Sequence, residues 1–88
     1  MEPLQCLKTL QGHSDSVFSV CGLGPDRSLL ASGSGDETIK LWDIHTGECL
    51  KTLQGHSDEV YLVCALGPDK SLLASGSEDE TIKFWGHP

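Results

Sequence analysis

Two sets of side chains in this sequence could do chemistry. His13, Ser32 and Asp36 supply the base, hydroxyl and carboxylate of a serine hydrolase, and His56, Ser75 and Asp79 supply them a second time. A nucleophilic serine needs an open substrate cleft and donors for an oxyanion. Here each trio is followed by a tryptophan, Trp42 or Trp85, and the whole set recurs, which favours architecture over catalysis. The other two histidines, His45 and His87, lack the HExxH or Cys/His spacing of a zinc site and read as solvated loop residues. No metal site and no cofactor is expected. Cys6, Cys21, Cys49 and Cys64 contain no CxxC pair and no dense extracellular spacing, so they are expected as reduced thiols. Cys21 and Cys64 fall in apolar runs and are expected to be buried small hydrophobes.

The elements that must hold these residues follow from a repeat. Cys6 to Asp15 reappears letter for letter as Cys49 to Asp58, 43 positions later, and the same offset relates Ser28–Ser34 to Ser71–Ser77 and Asp36–Lys40 to Asp79–Lys83. A period in the forties belongs to propellers or solenoids. Within each period short β-rich runs alternate with turn residues, and no window is long enough for a helix. The first repeat accommodates four antiparallel strands, at Val17–Cys21, Leu29–Ser34, Thr38–Trp42 and Cys49–Leu53. Gly24-Pro25-Asp26, Gly35-Asp36 and His45-Thr46-Gly47 separate them, because Gly supplies positive φ, Pro fixes φ and Asp closes local turns. Thr38-Ile39-Lys40-Leu41-Trp42 carries bulky groups on both faces, the pattern of a sheet covered on both sides by its neighbours. The expected fold class is all-β.

Gly12-His13, Ser32-Gly33-Ser34-Gly35-Asp36 and Trp42-Asp43, followed by Gly55-His56, Ser75-Gly76-Ser77-Glu78-Asp79 and Trp85, resemble the WD-repeat family over nearly the whole chain. The resemblance implies two four-stranded propeller blades. It also implies that His13, Ser32, Asp36 and Trp42, and likewise His56, Ser75, Asp79 and Trp85, form buried hydrogen-bonded tetrads. Donor and acceptor roles are compatible: the indole N–H only donates, hydroxyl and neutral imidazole do both, and the carboxylate accepts. Two departures stand out. The run Cys21-Gly22-Leu23-Gly24-Pro25-Asp26 is one residue longer than the family's usual strand end, as is its copy around Ala65-Leu66-Gly67, and a β-bulge is expected there. The second repeat ends Trp85-Gly86-His87-Pro88, without the Asp that follows Trp42.

The family's sequence repeat opens with the outer strand of one blade and continues with three inner strands of the next. On that phasing residues 1–10, with Leu4, Leu7 and Leu10, are an outer strand for a neighbouring chain. Residues 11–53 are a blade completed within the chain, and residues 54–88 are three inner strands completed by another copy. Ring closure takes at least four blades. Homo-oligomerisation is therefore expected, as a homotetramer with eight blades in preference to a homotrimer with six. The alternative is a segment of a longer array.

A formal net charge of −7 argues against nucleic acid as a partner. The longest apolar run, Val60 to Leu66, is far short of the roughly 20 residues that cross a bilayer. Nor does the N-terminus read as a secretory signal, so no membrane association and a cytoplasmic location are expected. Family propellers mostly bind proteins or peptides on the face formed by the loop before the first strand and the turn before the tetrad Asp. There Ser16, Phe18 and Gly35 of the first repeat become Glu59, Tyr61 and Glu78 of the second. Carboxylates beside aromatic rings suit Lys or Arg, so a basic peptide is the expected ligand class.

Overall fold

Alternating apolar and small residues between turn signals form seven strands in the computed structural model, which describes residues 3–87. They are β1 (Val17–Leu23), β2 (Leu29–Ser34), β3 (Ile39–Asp43), β4 (Cys49–Leu53), β5 (Val60–Leu66), β6 (Leu72–Ser77) and β7 (Ile82–Trp85). Every neighbouring pair is antiparallel, in one sheet of order β1-β2-β3-β4 and a second of order β5-β6-β7. The chain is all-β among the described residues, with the two sheets arranged as propeller blades. Met1, Glu2 and Pro88, the extreme positions of the expected outer and completed strands, lie outside the described residues.

β2 and β4 have their expected bounds, whereas β1 runs two residues further than expected, to Leu23, and β3 is displaced by one. The expected bulge after Val20 is not there. Pairing is continuous from Ser19↔Gly33 to Leu23↔Leu29, and the irregularity lies between Val17 and Ser19, repeated between Val60 and Leu62. The extra residue instead lengthens the strand, and Gly24 and Gly67, at φ 84° and 92°, turn the chain afterwards.

Cross-strand pairing sorts the side chains into two faces per blade, because partners in a ladder point the same way. On the back of the first blade Ser19, Gly33 and Ile39 share one row, and Cys21, Ala31 and Leu41 the next. On the front of the second blade Ala65, Leu73 and Trp85 share a row beside Val60 and Val63. These two faces meet, with β5 packed on β1 and β2. Leu23, Ala31, Ile39, Val60, Val63 and Leu73 form the shared core. Gly33 is required at the centre: a Cβ there would stand 2.8 Å from Val60 Cγ1. The Ser19 hydroxyl accepts a hydrogen bond from the Val63 amide at 3.2 Å, giving a partner across the seam to a backbone group of β5, the edge strand of its sheet.

The outward faces are open. Val17 and Val20 on the front of the first blade, and Leu62, Ile82 and Phe84 on the back of the second, are all exposed. Cys64 lies on that open back face and is exposed rather than buried as expected, while Cys21, its counterpart in the seam, is partly buried. Burial pushes the Cys21 thiol up, with Cys64 adding to the effect. Residues 3–13 form no strand within this chain, and Leu4 and Leu7 are 95% and 91% exposed.

Candidate functional site: two tetrads and a carboxylate-rich rim

Each tetrad ties the loop before a blade to two of its strands. In the first blade the Trp42 indole N–H, from β3, donates to Ser32 Oγ on β2 at 2.9 Å, and that hydroxyl donates to His13 Nε2 at 2.6 Å. The other ring nitrogen, Nδ1, donates to Asp36 Oδ2 at 2.8 Å, which is the tautomer a carboxylate partner selects. The second blade repeats the chain: Trp85 to Ser75 at 2.9 Å, Ser75 to His56 at 2.7 Å and His56 to Asp79 at 2.8 Å. A close approach makes this possible. Gly12 and Gly55 lie so near the indole edges that a Cβ would meet Cη2 of Trp42 or Trp85 at 3.0 Å.

The carboxylates do more than accept from histidine. Asp36 takes the Thr38 hydroxyl and amide on Oδ1, at 2.6 and 3.0 Å, and the Ser14 amide on Oδ2 at 3.0 Å. Burial opposes its charge, yet the side-chain bonds from Thr38 and His13 and the backbone amides outweigh it and hold the carboxyl far below the usual range. Thr81, then His56 and the Ser57 and Thr81 amides, do the same for Asp79, against its desolvation. The tight turns at these residues place Glu37 and Glu80 at φ 75° and 73°, in the left-handed region, with the amides of Asp36 and Asp79 held by Ser34 and Ser77 hydroxyls at 3.1 Å.

Motif spacing did not reveal Thr38, Thr81, Ser34 or Ser77 as part of this network. The Asp-x-Thr and Ser-x-Asp spacings repeated in both blades were the available signal, since short polar side chains two residues apart close such turns.

Chemically, the trio has the connectivity of a hydrolytic triad but not its accessibility. Ser32 is 3% exposed, and its oxygen receives the indole N–H while its proton is committed to His13. Among the described residues no group of three or more His, Cys, Asp or Glu side chains is placed to hold a metal ion. No helix among them is long and apolar enough to cross a membrane.

Some of the residues that differ between the repeats meet on one rim. Phe18 and Tyr61 lie with ring centroids 5.2 Å apart, and Tyr61 donates its hydroxyl to Glu59 Oε1 at 3.0 Å. That bond first, then desolvation and the charges of Glu59 and Glu78, pushes the Tyr61 phenol up to about 12. Gly35 faces Glu59 and Asp15, and its amide donates to the Ser16 carbonyl at 2.9 Å. Glu78 makes the matching backbone bond to Glu59. Asp15 was not among the expected rim residues, because it is identical to Asp58 and a search for differences passes over it.

The WD domain, G-beta repeat family (WD40) matches residues 4–43 and 47–86. The chain belongs to this family of WD-repeat proteins, whose domains generally mediate protein–protein interactions and are generally non-enzymatic. One stretch is 48% identical over 42 residues to the Notchless protein homolog of Arabidopsis thaliana, covering 48% of this chain and 9% of that protein. Another match, 52% identical over 42 residues, is to the vegetative incompatibility protein HET-E-1 of Podospora anserina, covering 48% of this chain and 3% of that one. The match thus spans a small part of these relatives. The crystal structure of the computationally designed Ika4 protein superposes with a TM-score of 0.79 and 32% identity, over 96% of this chain and 49% of that one.

Proposed function

We propose that this chain is a non-catalytic scaffold that joins copies of itself into a closed propeller, four chains giving eight blades, and presents its rim to a protein or peptide ligand rich in Lys or Arg. One observation carries the assembly. Cys6-Leu7-Lys8-Thr9-Leu10 has the same residues as β4, while among the described residues β7 has no strand on its outer edge. In the first blade Ile39 pairs with Leu53, Lys40 with Thr52, Leu41 with Lys51 and Trp42 with Cys49. The same register sets Ile82 against Leu10 of another copy, Lys83 against Thr9, Phe84 against Lys8 and Trp85 against Cys6. Leu7 then lies on the front of the second blade, towards a recess of about 220 Å³ lined by Leu41, Leu53, Leu73 and Trp85. Leu10 covers Ile82, and Leu4 lies just ahead of the strand. Pairing of this kind is β-augmentation, and it occupies an edge that would otherwise invite aggregation. Three chains with six blades are the second choice.

The non-catalytic reading is supported by the serine hydroxyls being engaged as both donor and acceptor in each tetrad. On the rim, Glu59, Glu78 and Asp15 beside the Phe18–Tyr61 pair offer charge pairing and a cation–π attraction of about 0.5–2 kcal/mol to a cationic side chain. The length of the relatives favours a second reading, in which these two repeats are a segment of a longer array of blades and bind only in that setting.

Light scattering on a size-exclusion column tests the assembly. Four copies of the 9.5 kDa chain give about 38 kDa and three about 28 kDa, and either mass should collapse when residues 1–10 are removed. A monomer at every concentration favours the segment reading. For the rim, affinity for an arginine-rich peptide should fall steeply with salt; affinity unchanged in Glu59→Ala/Glu78→Ala excludes the rim as the site.

A further inference from the structure

Between Val17–Trp42 and Val60–Trp85 six positions differ: Phe18/Tyr61, Ser19/Leu62, Gly22/Ala65, Arg27/Lys70, Gly35/Glu78 and Leu41/Phe84. Two of these pairs lie on the rim and one in a turn. The other three all fall on blade faces. Ser19 and Leu41, with their counterparts Leu62 and Phe84, belong to the back faces, and Gly22 and Ala65 to the front faces.

The changes are matched across the gap they would share. In the seam within the chain, Leu41 lines the same recess as Leu73 and Trp85, which lie in one row with Ala65. In a seam built the same way between chains, Phe84 meets the row of Gly22, Leu30 and Trp42. A larger side chain on the back face is accompanied by a smaller one on the front. The other row also changes character: Ser19 bonds the Val63 amide, and Leu62 can form no such bond, so in a seam between chains it would face Val20 with an apolar side chain.

We infer that the back face of the second blade docks on the front face of the first blade of another copy of this chain, with Phe84 occupying the space that Gly22 leaves. This makes the seam between chains chemically distinct from the seam within one. The occupant is a second copy because the seam within the chain already joins these two kinds of face: Val60 and Val63, the counterparts of exposed Val17 and Val20, are packed on Gly33 and Ile39, the counterparts of open Gly76 and exposed Ile82. A Cβ on Gly76 would meet nothing within 4 Å, whereas one on Gly33 collides with Val60. The inference rests on the self-assembly reading above.

A double-mutant cycle on the full chain tests it, reading the association constant by sedimentation and the fold by circular dichroism. Phe84 is exposed in the single chain, and the nearest atoms to a Cβ at Gly22 belong to the Arg27 side chain, at 3.4 Å, an ordinary contact distance, so both variants should keep the isolated fold. Gly22→Ala and Phe84→Leu should each weaken association by about tenfold, and the double variant, which recreates the Leu41/Ala65 pairing, should recover most of that loss. Single effects that are absent, or that simply add in the double variant, overturn the seam while wild-type assembly stands. Wild-type chains that remain monomeric overturn the self-assembly reading itself, and the seam with it.

Discussion

The two blades use nearly the same residues and differ in what surrounds them. The tetrads are indistinguishable, with matching bonds that agree within 0.1 Å. The sheet faces are not: Ile39 is fully buried and its counterpart Ile82 is 76% exposed, while Val60 is fully buried and Val17 is 50% exposed. Loop-to-strand hydrogen bonding is therefore local to a blade, whereas hydrophobic burial belongs to the contact between blades. Full burial of an Ile or Val side chain contributes about 1.5–3 kcal/mol, so the same sequence supplies that stabilisation on the face of each blade that lies in the seam and withholds it on the face that lies outside it.

Paired substitutions can break that comparison. The largest effect is expected at the tryptophans. Trp42→Ala removes a buried ring and orphans Ser32, and should cost about 3–5 kcal/mol in denaturant unfolding; Trp85→Ala, at a partly exposed ring, should cost clearly less while the chain is unassembled. Equal losses would mean that the tetrad, not burial, dominates both sites. Next come the strand glycines. Gly33→Ala forces a methyl into Val60 and should destabilise by about 1–3 kcal/mol, whereas Gly76→Ala should leave unfolding of the single chain unchanged.

At the seam, Ser19→Ala should cost about 0.5–1.5 kcal/mol through the lost bond to the Val63 amide. Leu62→Ala, on the open face, should stay within about 0.5 kcal/mol of wild type.

Acid should affect both blades alike. The folded carboxyls of Asp36 and Asp79 lie below their unfolded values, so the stability they lend is complete above about pH 5 and is lost as pH falls through and below the unfolded range. Melting curves of Asp36→Asn and Asp79→Asn should therefore each lose a similar part of the wild type's dependence on pH below that point, and the double variant more than either. The smallest effect is on the rim: phenolate absorbance should place Tyr61 near 12 in the wild type and lower in Glu59→Ala, with desolvation and Glu78 keeping part of the rise. Since the folded phenol is raised, the stability from its bond to Glu59 persists below the unfolded value and is lost as pH climbs through the folded one.

Strand positions were legible because turn residues bracket each apolar run, and the tetrad residues could be named because Gly-His, Ser-Gly-Ser and Trp recur at fixed spacing. The site of the bulge was not legible. Counting an extra residue shows that a strand must absorb it, but only the pairing decides whether a bulge or a longer strand does so. Thr38 and Thr81 were hidden for a related reason, since a hydroxyl two residues from an Asp is common in turns that bury nothing. The exposure of Cys64 depends on whether a further blade stands behind it, which no local pattern encodes.

One bond at the foot of the seam offers a clock. The Gly24 amide donates to the Lys70 carbonyl at 2.9 Å, joining the two blades through backbone alone, and among the described residues Gly67, the corresponding glycine, has no such acceptor. In hydrogen exchange Gly24 should be slow from the outset and Gly67 fast. If the proposed assembly forms, the Gly67 exchange rate should fall with protein concentration, one amide reporting on further seams and its twin serving as the internal standard.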